Sequence, residues 1–213
     1  PDWRDLPQLE FHPVPSFSVP FGVMVPKDVE DLLVIEKAVS VTCIANGATR
    51  LQPVVMEIGQ AAGVAAALLT GMRKESGAGS YSLKDVQVRD VQEGILAAGG
   101  YLLPYLDIPV TDPRFAALQR IGATGIMRGE GRSVGWSNET WFRIDDPVKR
   151  EEIFLDDYYP GKTLSDLGLP PLDSITRGEY AVIIDSLLHP FESHEVTHTG
   201  ALVHFFAALR KLD

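Results

Sequence analysis

A mixed α/β N-terminal piece joined to a mainly α-helical C-terminal module is the fold class that this sequence predicts, on three observations. The short apolar run from Leu32 to Lys37 has the look of a fully buried parallel strand. Gly59-Gln60-Ala61-Ala62-Gly63-Val64-Ala65-Ala66-Ala67 reads as a buried helix whose small residues let a neighbour approach its backbone. Beyond Tyr101, paired cap-and-proline signals mark helix starts, so the expected domains are residues 1–100 and 101–213.

The elements follow in chain order. Val19 to Lys27 is extended and closes in a Pro26-Lys27 turn; the buried strand comes next, then Ser40-Val41-Thr42. Asn46-Gly47-Ala48-Thr49-Arg50-Leu51-Gln52-Pro53 is a polar loop feeding a helix that runs from Thr49 to Leu69. The start of such a helix carries unpaired N–H groups and partial positive charge, which suits a phosphate or an electron-rich ring edge. The plain alternative is a core helix in which Gly59 and Gly63 merely allow tight packing. Glu75 to Ser80 is a turn-rich connector, and a helix from Arg89 to Ala98 closes on Gly99-Gly100.

In that order and spacing, Pro26-Lys27, Leu32 to Ser40, Asn46 to Pro53 and Gly59 to Gly63 resemble the C-terminal end of the flavin-binding domain in bacterial FAD-dependent oxidoreductases. The resemblance runs from about Phe17 to about Gly100. It implies a fragment of a Rossmann-like FAD-binding domain in which the helix N-terminus points at the flavin and favours negative charge on the reduced ring. Asn46, Gly47, Thr49, Arg50 and Gln52 would be the FAD contacts on this side. Many relatives carry glycine and arginine where this chain has Glu36 and Lys37, so Glu36 must turn away from the pyrophosphate or that edge must be rearranged. The Gly-x-Gly-x-x-Gly turn that holds the pyrophosphate occurs nowhere in the 213 residues. The expectation is therefore the back half of a longer polypeptide, inactive alone, whose first partner is the missing N-terminal half of the FAD domain. The absence of a leader says nothing about secretion, and both a bacterial cytoplasmic and a cell-envelope location stay open.

Composition sets outer limits. A formal net charge of -10 argues against nucleic acid, whose phosphates demand a basic surface. The single cysteine, Cys43, forbids an internal disulfide and is expected to be buried beside the strand. No apolar run is expected to reach transmembrane length.

In the C-terminal module, Asp112-Pro113 starts a helix with Phe115, Leu118 and Ile121 on one face. Gly125-Ile126-Met127-Arg128-Gly129 ends it and leads into a loop or hairpin holding Trp136, Trp141 and Phe142. Asp146-Pro147 starts a second helix over Val148 to Ile153, and Ile175 to Tyr180 echoes it, with Arg150 matching Arg177 and Glu152 matching Glu179 at one common offset. This order resembles an S-layer homology repeat, which implies attachment to a cell-wall polysaccharide; the plain alternative is a helical cap on an oxidoreductase.

His194-Glu195-Val196-Thr197-His198, with His204 beyond, fits the H-E-x-x-H zinc pattern of a metalloprotease. Against it, Ala201 stands where a glycine is required, no methionine follows, and the β-branched residues suit a turn or strand; the motif reads as coincidence and no metal site is expected. Ala201 to Leu212 reads as a terminal amphipathic helix, and Asp156-Asp157-Tyr158-Tyr159 as a solvated helix end. Separated from the rest of its sheet, the N-terminal piece is expected to form a homodimer over Val34, Val54, Ile58, Val64 and Leu68.

Overall fold

The computed structural model describes residues 19–77, 80–134 and 137–193. They form six α-helices and one two-stranded sheet around two apolar cores. The first core takes Phe21, Met24, Ile58, Leu69, Val86 and Val91; the second takes Ile108, Leu118, Ile126, Phe142, Leu155 and Tyr180.

The expected parallel strand is not formed. Residues 32–35 are extended but unladdered, and Leu32 and Ile35 are 45% and 42% exposed. A strand needs a neighbour, and the adjoining segment offers a poor one: Phe21–Val23 winds into a 3-10 turn, and Pro20 and Pro26 have no N–H to donate. Two hydrogen bonds tie the arms together, Val34 N–H to Met24 O (2.8 Å) and Ser40 N–H to Val23 O (3.1 Å). The run then breaks at Glu36, whose φ of 62° lies in the left-handed region.

Helix α1 (Cys43–Thr49) occupies most of what reads as a polar loop. Thr42 caps it, its Oγ1 accepting from the Ala45 N–H at 3.2 Å. Helix α2 (Gln52–Ser76) starts after the Arg50-Leu51 joint and outruns the expected end at Leu69. Arg73 pins that extension by donating to both oxygens of Asp31 (2.6 and 3.1 Å) and to the Tyr81 carbonyl. By length and composition α2 is long and apolar enough to cross a membrane, its most apolar 18-residue window having mean hydropathy 1.5, which corrects the expectation that no run reaches that length. Small residues hid it: Ala61 to Met72 carries no charge but little bulk. One stripe of α2, Ile58, Ala62, Ala65 and Leu69, is buried in the first core. Among the residues expected to be bare, Ile58 is buried, and Val54, Val64 and Leu68 are half-buried against that core.

Helix α3 (Val88–Ala97) ends as its sequence predicts, on Gly99 at φ 76°, with the Gly100 N–H bonded to Ile95 O at 2.8 Å. It packs on α2 through a bare backbone: a Cβ built on Gly94 falls 2.5 Å from Val64 Cγ1. Val88 and Val91 enter the first core, and Leu96 enters the second. The following segment is pinned by Gln119, fully buried, whose amide oxygen accepts from Leu102 and Leu103 N–H (both 2.8 Å) and whose nitrogen donates to Leu103 O.

Helix α4 (Phe115–Thr124) opens after Arg114, slightly later than the Asp112-Pro113 signal, because Asp112 spends its carboxylate on the Arg114 N–H and guanidinium. It closes on left-handed Gly125. Strands β1 (Glu130–Val134) and β2 (Ser137–Trp141) pair antiparallel, Glu130 opposite Trp141. Trp136 lies outside the described residues.

The expected helix over Val148 to Ile153 is only a 3-10 turn, Arg150–Glu152. Its echo forms α5 (Arg177–Leu188), and the difference lies in the cap. Thr176 accepts from the Glu179 N–H while Glu179 accepts from the Thr176 N–H, whereas Lys149 at the matching position has no acceptor. The two copies bind each other instead: Val148 N–H reaches Ile175 O, and Arg177 Nη1 meets Glu152 Oε2 at 2.7 Å. Arg177, 3% exposed at its side chain, also donates to Phe142 O and Arg128 O. A four-residue helix, α6 (Pro190–Ser193), follows.

Two outcomes follow. Gly94→Ala should destabilise by about 1–3 kcal/mol through overpacking, and Val64→Ala in the same chain should recover most of it in urea unfolding. Thr176→Ala should cost about 1 kcal/mol, whereas Lys149→Ala should leave the unfolding midpoint unchanged.

Candidate functional site at the joint between α1 and α2

The residues singled out by the sequence fall on one joint. Asn46, Gly47 and Thr49 belong to α1, Arg50 lies between the helices, and Gln52 is the first residue of α2. Asn46 and Thr49 are three apart and so share a face of α1. Gly47 is exposed, and a Cβ added there meets nothing within 4 Å, so no close contact requires a glycine.

Unmet hydrogen bonds concentrate here. Thr49 is 2% exposed, and its Oγ1 has no partner. Asn46 Oδ1 is likewise buried and unpaired. Each such atom costs about 1–3 kcal/mol relative to a satisfied one. Next to them α2 begins on Leu51 with no side-chain cap. Pro53 has no N–H, and the Gln52 and Val54 N–H groups find no acceptor among the described residues. Along 25 residues the peptide dipoles add to a partial positive charge at this end. The exposed Arg50 and Gln52 side chains add a cation and an amide at the rim.

The joint therefore presents backbone donors and one cation at its surface, and holds two unpaired oxygens that solvent does not reach. Sequence reasoning missed the Val54 N–H. The signal was present in Pro53, since proline belongs in the first turn of a helix and places its start two residues after Arg50. Cys43, expected to be buried, is exposed at the first position of α1, because no strand forms to cover it. Glu36 is exposed and points no carboxylate into a core; it holds a left-handed conformation that favours glycine.

The other candidates stand apart. His194, Glu195, His198 and His204 lie outside the described residues, among which no cluster of three His, Cys, Asp or Glu side chains could hold a metal. Asp156 and Asp157 are exposed, but the tyrosines beside them are structural: Tyr158 Oη donates to Thr124 O and Tyr159 Oη to Leu188 O.

Residues 4–95 match the model of the family described as FAD dependent oxidoreductase. This region is similar to a flavoprotein family. The match spans α1, α2 and nearly all of α3, so the whole joint lies inside it. In that family the region is a Rossmann-like FAD-binding one; its regular elements among the described residues here are helices and 3-10 turns, with no strand. No curated protein and no solved structure matches the chain.

The unsatisfied hydroxyl generates an outcome independent of any ligand. Thr49→Val keeps the shape and removes the orphan oxygen, so it should stabilise the chain by about 1 kcal/mol, read as a higher midpoint in chemical unfolding.

Proposed function

We propose that this chain is the flavin-side segment of an FAD-dependent oxidoreductase and that the α1–α2 joint holds the ring end of the cofactor. The observation that carries the reading is the buried, unpaired pair Asn46 Oδ1 and Thr49 Oγ1 beside an uncapped 25-residue helix, all within the family-matching region. FAD, when bound, supplies the two-electron redox chemistry.

The chain's own part is electrostatic and positional. Gln52 and Val54 N–H groups donate at the helix start, where the dipole favours negative charge. Asn46 Oδ1 and Thr49 Oγ1 accept from donors on the ring edge, and Thr49 is held in place by its burial. Arg50 adds a cation at the rim, and the exposed turn at Glu36 keeps a carboxylate out of the joint. Substrate identity is carried by none of these groups.

The pyrophosphate needs a glycine-rich cradle that these 213 residues lack. The reading therefore includes a partner, the N-terminal half of the FAD domain, seated over the exposed Leu51 and Met56 beside the joint. Alone, the chain would neither retain FAD nor turn over substrate.

In a polypeptide carrying both halves, Arg50→Ala and Thr49→Val should each weaken FAD retention by about tenfold, the worth of one lost hydrogen bond or charge contact. The flavin-to-protein ratio after dialysis measures it. Full occupancy in Thr49→Val, together with the stability gain expected for that variant, would remove the joint from the flavin site.

A further inference from the structure

Helix α3 carries both cores, and the polar contacts across its outer side are uneven. Arg89 turns from α3 toward the elements of the second core and is only 9% exposed. Its Nη1 donates to Gln92 Oε1 on its own helix (2.9 Å), its Nη2 lies 3.4 Å from Tyr158 Oη, and its guanidinium stacks 4.4 Å over the Phe191 ring. Its Nε is buried without an acceptor, and no described carboxylate pairs with it. Burial pulls its pKa down, as expected for a cation with neutral partners.

Buried Arg177 and half-buried Arg120 are neutralised within one unit. Arg177 meets Glu152, and Arg120 meets Asp185 at 2.6 Å. Across the seam the remaining ion pair is Arg120 with Glu93 at 3.4 Å, where Glu93 is 53% exposed and the contact is screened by water. A desolvated guanidinium held by a phenol and a ring makes a weaker joint than the close-packed surfaces on either side of it. Phe191, 2% exposed, arrives on the four-residue helix α6 after a left-handed turn at His189 (φ 44°).

We propose that α6 is a latch: Phe191 stacked on Arg89 closes the seam between α3 and the second core, and its release lets the C-terminal unit open as a folded body while α2 and α3 stay together. The inference stands apart from the flavin reading, since it uses no residue of the α1–α2 joint.

The test uses the full chain with Cys43→Ser and a single probe thiol placed at Leu96 (Leu96→Cys), which sits in the seam, or in either core as a control (Ile58→Cys, Ile184→Cys). The Leu96→Cys thiol should be labelled faster than both controls under native conditions. Phe191→Ala should accelerate seam labelling by about tenfold or more, the scale of one desolvated cation–π contact, and leave both controls unchanged. Arg89→Leu, which removes the cation that Phe191 stacks on, should accelerate seam labelling as Phe191→Ala does and leave both controls unchanged. Equal acceleration at all three thiols in Phe191→Ala, or seam labelling unchanged or slowed in Arg89→Leu, would overturn the latch.

Discussion

The contact of α3 with α2 through the bare backbone of Gly94 is the constraint on which the rest of the molecule depends. With Val64 lodged where a Cβ would stand, α3 lies close enough for Val88 and Val91 to seal the first core. The same placement turns Leu96 outward to found the second. A bulkier residue at that point would separate the helices and expose both apolar clusters at once. Neither core has a sheet to lean on: the hairpin of β1 and β2 is peripheral, so helix contacts carry the burial.

Charge is handled differently in the two halves. The C-terminal unit embeds Arg177 and Arg120 against carboxylates, and the fan of donors around Asp107, which accepts from Phe142, Arg143 and Ile144 N–H, fixes the exit of β2. The N-terminal half leaves its polar groups unmatched at the α1–α2 joint. Buried orphan oxygens lower stability, and here they stand beside the uncapped start of a long helix.

Much of this was legible in the sequence. Gly99-Gly100 gave the end of α3, the echo over Ile175 to Tyr180 gave the place of α5, and Gly125 gave the end of α4, because each depends on chemistry within a few residues. The stretch Asn46 to Gln52 was read as a loop but is mostly helix, since the cap on Thr42 lies outside the polar run. Leu32 to Lys37 looked like a strand because periodicity reports apolarity and not the presence of a neighbour to pair with. Lys149 in place of Thr176 was the visible reason that the first echo could not nucleate a helix. The pairing of the two echoes with each other, by contrast, is tertiary and left no local trace.

Gln119 has a mechanical consequence. Its amide grips Leu102 and Leu103 through three hydrogen bonds, which fastens the link between the cores to α4 up to Leu102. The link between the end of α3 and that grip is then only Gly99, Gly100 and Tyr101, with Tyr101 stacked edge-on against Phe115 of α4. In the proposed opening, so short a tether would permit rotation and forbid translation, so that the second unit would swing through an arc without drifting away. Its surface would therefore remain at a high effective concentration beside α3, and reclosure would be an intramolecular search over a few backbone angles.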